Sequence, residues 1–358
     1  MSLQISYKKQ ILVLLMLLVV VLVVVEISLR AYDYLNPRCE FMKTPLAVNV
    51  DPKFKQEVCD TWKRTLVYID PVTGVTQNVP NQHFSIANTN SYGFRGAEIL
   101  KEKPENNYRI FVVGGSTTIG LHALSDQQTI AGYLQTNFDE LNLEKNIEVI
   151  NAGVRGITSS DELQIIKTKI VEFEPDMIIV YDGYNDMLSS SGKKPKSQDN
   201  GFTYIWRKYF SFYYTPFVLE GLFPKTNSAI KAPLSDNTTE KVSVWKNNLI
   251  NICELGNQNG IETVIILQPF LGTGNKIIIE QEKEFFEKTN GDEKLGQYHF
   301  FAEEFFELDN FCKNTADFRN IFDDIQERVY FDESHVVPVY DKIIADKIFE
   351  IVRPLVVY

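Results

Sequence analysis

Residues 109–120 read Arg-Ile-Phe-Val-Val-Gly-Gly-Ser-Thr-Thr-Ile-Gly. Ile110–Val113 is a short apolar run rich in β-branched side chains, and it stops at two glycines. Such a run reads as a buried strand that ends in a tight turn, with Ser116 left on the turn. Three similar runs follow, at Ile147–Asn151, Met177–Tyr181 and Glu262–Leu267. Helical periodicity lies between and after them. Thr129–Leu141 reads as a helix capped by Ser125 or Asp126. Ser159–Phe173 places Leu163, Ile166 and Ile170 on one face. Thr239–Gly256 is helical, and Pro338–Val352 closes the chain with Ile344, Ile348 and Ile351 on one face. Strands that are apolar throughout and separated by helices indicate a parallel sheet covered on both faces. Sheets of this kind hold their ligands beyond the carboxyl ends of the strands, so the residues after each strand carry the functional reading.

The first strand is followed by Gly114-Gly115-Ser116, the second by Asn151-Ala152-Gly153 and the third by Asp182-Gly183-Tyr184-Asn185-Asp186. Asp332-Glu333-Ser334-His335 precedes the last helix. Together these supply what acyl transfer needs. A serine hydroxyl is a weak nucleophile until a base takes its proton, and histidine is suited to that work. The histidine needs a carboxylate on its other nitrogen, and an Asp three residues earlier can fold back to provide it. The oxyanion needs preorganised donors, for which the Ser116 N–H, a Gly153 N–H and the Asn185 amide are candidates. Gly115, Gly183 and Asp186 support these turns. Competing motifs fail in detail. The turn lacks a P-loop lysine and the GxGxxG spacing, and Thr118 stands where an α/β-hydrolase elbow needs glycine. Each loop alone is ordinary, since turn serines and Asn-Asp caps are common; the conjunction of four loops is what points to catalysis.

The same residues resemble the SGNH (GDSL-like) hydrolase family. Its marks are a Ser in a GDS-like turn, a Gly, an Asn within G-x-N-D, and D-x-x-H, here Ser116, Gly153, Asn185 in Gly183-Tyr184-Asn185-Asp186, and Asp332 with His335. The match runs from residue 108 to about residue 352. The resemblance implies a flavodoxin-like three-layer α/β/α sandwich with a parallel sheet. It also implies a serine hydrolase that cleaves acyl or acetyl esters on a small molecule, a lipid or a polysaccharide, and no metal or organic cofactor. Asn90-Ser91-Tyr92-Gly93-Phe94-Arg95-Gly96 resembles the lead-in of membrane-anchored members. The family turn is usually Gly-Asp-Ser, whereas this chain has Gly115 before Ser116. Two other activities share the same parts: an O-acyltransferase, and a catalytically weak glycan-binding or assembly protein of the same fold.

The chain has 358 residues and a formal net charge of -11, so no basic surplus exists to neutralise a nucleic acid. Near its N-terminus Ile11–Val25 is fifteen apolar residues in a row, continued past Glu26 to Leu29. A membrane-spanning helix needs about 20 such residues. No small-x-small cleavage site follows, which favours an uncleaved anchor over a signal peptide. Lys8 and Lys9 place the N-terminus in the cytoplasm and the remainder outside, while Arg30 and Lys43 on the other flank oppose that orientation. The expected organisation is a cytoplasmic tail at 1–9, a transmembrane signal-anchor at 10–30, a proline-punctuated stalk or cap at 31–104 with short strands at Thr65–Ile69 and His83–Ala87, and the hydrolase domain at 105–358. The domain carries an insert at about 188–238, strongly aromatic around Trp206 and Tyr209, that reads as a lid or as plain packing. Asn237-Thr238-Thr239 is a glycosylation sequon. Cys39, Cys59, Cys253 and Cys312 contain no CxxC pair; Cys39–Cys59 with Cys253–Cys312 is one of three pairings, and four free thiols is the alternative.

Overall fold

A computed structural model describes residues 6–35, 57–59, 61, 67–71, 73–189 and 238–357. The insert at about 188–238, apart from its two ends, and Cys39 therefore lie outside the described residues, as does Asn237 of the sequon. The chain divides into two compact units, Met1–Arg64 with Asn200–Ile230, and Thr65–Asp199 with Lys231–Tyr358.

In the first unit Tyr7–Leu35 forms one 29-residue helix, α1. Within Tyr7–Tyr32 the most apolar 18-residue window has a mean hydropathy of 3.3 and no buried residue. It is long and apolar enough to cross a membrane. Glu26, which interrupts the apolar run, pairs with Arg30 one turn on at 2.7 Å, so the two charges at the far end of the run offset each other.

The second unit is built on a five-stranded, wholly parallel sheet. A small antiparallel ribbon, β1 (Val67–Ile69) with β2 (Thr76–Asn78), precedes it. The sheet strands are β3 (Asn107–Gly114), β4 (Asn146–Asn151), β5 (Met177–Asp182), β6 (Glu262–Leu267) and β7 (Asn314–Asp317), in the order β4-β3-β5-β6-β7. Successive side chains of a strand point to opposite faces, and here both faces are dry. Phe111, Val113, Ile178, Val180 and Ile265 pack under Ser159–Thr168 (α2), Thr238–Asn259 (α3) and Gly291–Phe306 (α4). Ile110, Val112, Met177, Ile179 and Ile266 pack under Ile130–Asp139 (α5) and Pro338–Val357 (α6). The result is the flavodoxin-like α/β/α sandwich. Its strand order reverses direction between β3 and β5, and that switch point opens the crevice in which such sheets bind ligands.

The described residues differ from the sequence reading at five places. The edge strand β7 is Asn-Thr-Ala-Asp, half-buried throughout, and offers no apolar run. Glu280–Lys288 is a further helix, α7, with a strongly polar surface. The cap of α5 is Thr129, whose hydroxyl accepts the Gly132 N–H at 3.1 Å, because Asp126 is committed to Arg95. The helix begun at Ser159 ends at Thr168, and Ile170–Phe173 is a separate 3-10 turn. His83–Ala87 makes an isolated bridge from His83 to Asn88 rather than a strand.

A disulfide joins Cys253 of α3 to Cys312 just before β7, and Cys59 is also disulfide-bonded. A second tie lies under the loop that carries Asp332. Glu282 of α7 is fully buried and accepts the N–H groups of Val329 and Tyr330 at 2.9 and 3.0 Å and the Lys276 ammonium at 2.7 Å. Removing one partner of a buried ion pair strands the other charge. Glu282→Ala is therefore expected to destabilise the second unit by about 3–5 kcal/mol, read as a shift of the urea unfolding midpoint at an unchanged m-value.

Candidate active site

Ser116 is the first residue of a single helical turn, Ser116–Ile119, directly after β3. Two features hold that turn. From below, the buried Arg95 guanidinium donates to the carbonyls of Ile119 and Gly120 at 2.6 and 2.7 Å and to Asp126 at 2.8 Å. Arg95 comes from the Asn90–Gly96 segment, whose backbone also bonds Asn151 at the end of β4. From the side, Gly153 lies against the turn so closely that a Cβ there would stand 2.7 Å from the Thr118 carbonyl carbon. Only glycine permits that approach.

The structure brings Ser116, Asp332 and His335 together. His335 Nε2 lies 2.7 Å from Ser116 Oγ. On the other side of the ring, Nδ1 lies 2.8 Å from Asp332 Oδ2 and 2.9 Å from Oδ1. Asp332 Oδ1 also accepts the N–H groups of Ser334 and His335, each at 2.9 Å, so the loop is folded by the same carboxylate that faces the imidazole. The neighbouring Glu333 is taken by Lys294, which leaves Asp332 as the partner of the ring. Burial opposes the Asp332 charge, but the His335 ring, the nearby His122 and the loop N–H groups outweigh it and hold the carboxyl well below the usual carboxylate range.

Asn185 stands on the turn Tyr184–Leu188 after β5, across the switch point from Ser116. Its Nδ2 donates to the Ile157 carbonyl at 2.8 Å, which occupies one of two amide protons. Gly183 reaches the turn with φ 129°, and a Cβ there would stand 2.6 Å from the Tyr298 hydroxyl. Asp186 accepts the Ser159 N–H at 2.9 Å and hydroxyl at 2.6 Å, fastening this turn to the start of α2. Beneath it, burial and then the Asp186 charge push Asp182 well above the usual carboxylate range, and burial does the same to Glu162.

One candidate changes its role. The Gly153 N–H donates to Asn151 Oδ1 at 3.0 Å and is spent there. In the same loop the exposed Gly156, at φ 69°, has no acceptor for its N–H among the described residues, and neither has Ser116. Gly115 has a steric reason: a Cβ at that position would run into Asn185 Nδ2, so no side chain fits while Asn185 holds its place. His122, six residues after the serine, was not distinguished by sequence. It stacks on Phe331 at 3.9 Å and meets His335 edge to face at 5.1 Å.

No family model and no curated protein matches the chain. Among solved structures it is similar to the crystal structure of TesA, with 14% identity, 69% of this chain and 99% of that chain covered, and a TM-score of 0.42. It is likewise similar to an acetyl xylan esterase, AlAXEase, at 13% identity, 68% and 98% coverage and a TM-score of 0.42. The third is the lipase/acylhydrolase from Enterococcus faecalis, at 15% identity, 69% and 96% coverage and a TM-score of 0.42. Likeness of this degree bears on neither substrate nor mechanism, for which the residues of the site are the ground.

Proposed function

We propose that this chain is a membrane-anchored serine hydrolase of the SGNH type that cleaves acyl or acetyl esters, with Ser116 as nucleophile. The observation that carries the proposal is the unbroken hydrogen-bonded line from Ser116 Oγ through the His335 ring to Asp332, 2.7 Å on one side and 2.8 Å on the other. Heavy-atom separations of about 2.6–3.2 Å are those that proton transfer to a general base requires.

In this reading Ser116 Oγ attacks the ester carbonyl as its proton passes to His335 Nε2. Asp332 stabilises the imidazolium and keeps the ring oriented. The oxyanion is met by the Ser116 N–H, the remaining Asn185 amide proton and the Gly156 N–H, which replaces Gly153 as the loop donor. His335 then protonates the leaving alkoxide, and the acyl group stays on Ser116. Water, deprotonated by the same imidazole, attacks the acyl-serine and frees the acid. The parts require no metal. Helix α1 would anchor the chain, with Lys8 and Lys9 on the cytoplasmic side and the catalytic unit outside. The disulfides support that placement, because such bonds persist in oxidising compartments.

The test is turnover of an acetyl-ester chromogen by the detergent-solubilised full chain, followed by trials on acetylated oligosaccharides and on acyl lipids. Release of acid from at least one of these is expected; no turnover of any would refute the enzyme reading. Gly115 offers a finer check. Gly115→Ala should push Asn185 out of place and lower kcat by about tenfold to a hundredfold. Unchanged kcat would remove Asn185 from the oxyanion site.

A further inference from the structure

His122 and His335 flank one carboxylate. His122 Nε2 lies 3.8 Å from Asp332 Oδ2, and His335 Nδ1 lies 2.8 Å from the same oxygen. The stack on Phe331 fixes the His122 ring, which meets the His335 ring at 88°. One ligand atom from each of the three residues falls within 4.8 Å of the others. The side chains are 14% (His122), 26% (Asp332) and 14% (His335) exposed, and His122 and His335 line one cavity; the His122 ring nitrogens are themselves buried, so an ion enters as that ring moves toward Asp332.

We propose that His122, Asp332 and His335 form an inhibitory site for a divalent transition ion that prefers imidazole, such as Zn2+. Two imidazoles and a carboxylate are a donor set that suits zinc. With bonds of about 2.0–2.1 Å, tetrahedral ligand atoms stand roughly 3.4 Å apart. Movements of about an ångström or less for most of the set, led by His122 toward Asp332, would close it, and water completes the coordination.

The consequence lies in the histidine tautomer. In the competent site Nδ1 carries the ring proton toward Asp332, and Nε2 accepts from Ser116. An ion on His335 takes the Nδ1 lone pair, so the ring proton moves through solvent to Nε2; the neutral ring loses no proton overall. Nε2 then donates to Ser116 Oγ, and the hydroxyl has no base. The ion also draws the Asp332 charge away from the ring. The effect on activity rests on the triad proposed above, whereas the binding rests on the three side chains alone.

Two measurements separate these. Untagged full-length Ser116→Ala, in detergent, is titrated with Zn2+ by calorimetry. One site is expected, weakened at least about tenfold when His122→Phe is added, a change that keeps a ring on Phe331. His122→Gln should weaken it in the same way and guards against a folding defect in either variant. In the chain with Ser116 intact, Zn2+ should slow ester turnover and EDTA should restore it. His122→Phe should need at least about tenfold more Zn2+ for the same fractional inhibition, each variant being compared with its own metal-free rate. Absence of binding, or equal binding with and without His122, overturns the site even if the chain is an active esterase. Binding lost with His122 in a chain that turns over no ester keeps the site and removes the hydrolase reading instead.

Discussion

Ser116→Ala is expected to lower kcat/KM for an acetyl ester by about a millionfold while leaving the fold intact. That corresponds to roughly 8 kcal/mol of lost transition-state stabilisation. The magnitude follows from the loss of the covalent route itself: without the hydroxyl, His335 has no group to deprotonate except water, and no acyl-serine forms. The fold should survive because, among the described residues, the Ser116 hydroxyl has one partner, the His335 ring. The supports of the turn lie elsewhere, in Arg95 on the Ile119 and Gly120 carbonyls and in Gly153 against its backbone. Steady-state kinetics with a melting curve on the same sample check both halves. A modest fall in rate would mean that another residue attacks the ester.

Asp332→Asn should cost about ten-thousandfold in kcat, roughly 5.5 kcal/mol. The two carboxylate oxygens have divided their work. Oδ1 takes the Ser334 and His335 N–H groups, and both oxygens face His335 Nδ1. An Asn can keep its oxygen on the two N–H groups and so preserve the loop. Its amide then meets Nδ1 donor to donor, and the ring answers by moving its proton to Nε2, where it can no longer accept from Ser116. The native carboxyl sits well below the usual range because the His335 ring, His122 and the loop N–H groups outweigh its burial. Its stabilising share is thus fully present above the ordinary carboxylate pKa and is lost as pH falls through the depressed folded value. The variant's deficit should accordingly persist across neutral and mildly acid pH. KM should change far less than kcat, since the substituted atom touches the base and not the ester.

The central strands β3, β5 and β6 were legible because a strand buried on both faces must be apolar along its length, and Ile110–Val113, Met177–Tyr181 and Val264–Leu267 are; the edge strand β4 was legible from Ile147, Val149 and Ile150, its Glu148 lying half-buried against Arg109. Their ends then pointed to Ser116 and Asn185 through a rule about sheets rather than about any one residue. Asp332 and His335 were legible as a local pair. What sequence could not give was tertiary. Asn-Thr-Ala-Asp becomes β7 only because β6 offers it an edge. Gly153 and Gly156 are equally glycine to a reader, and the side chain of Asn151 decides which N–H is spent. The departure at Gly115 becomes intelligible only when Asn185, 70 positions away, is seen to fill the space of a Cβ. His122 gains its meaning from Phe331 and Asp332, and Glu282 from a loop 47 residues on.

The central claim is that one serine is activated. It is tested most directly by treating the solubilised chain with a fluorophosphonate and mapping the adduct by peptide mass. A single adduct on Ser116 is expected, absent from Ser116→Ala and slowed in Asp332→Asn. An adduct on a different serine, or none at all on protein that is turning over an acetyl ester, would contradict it.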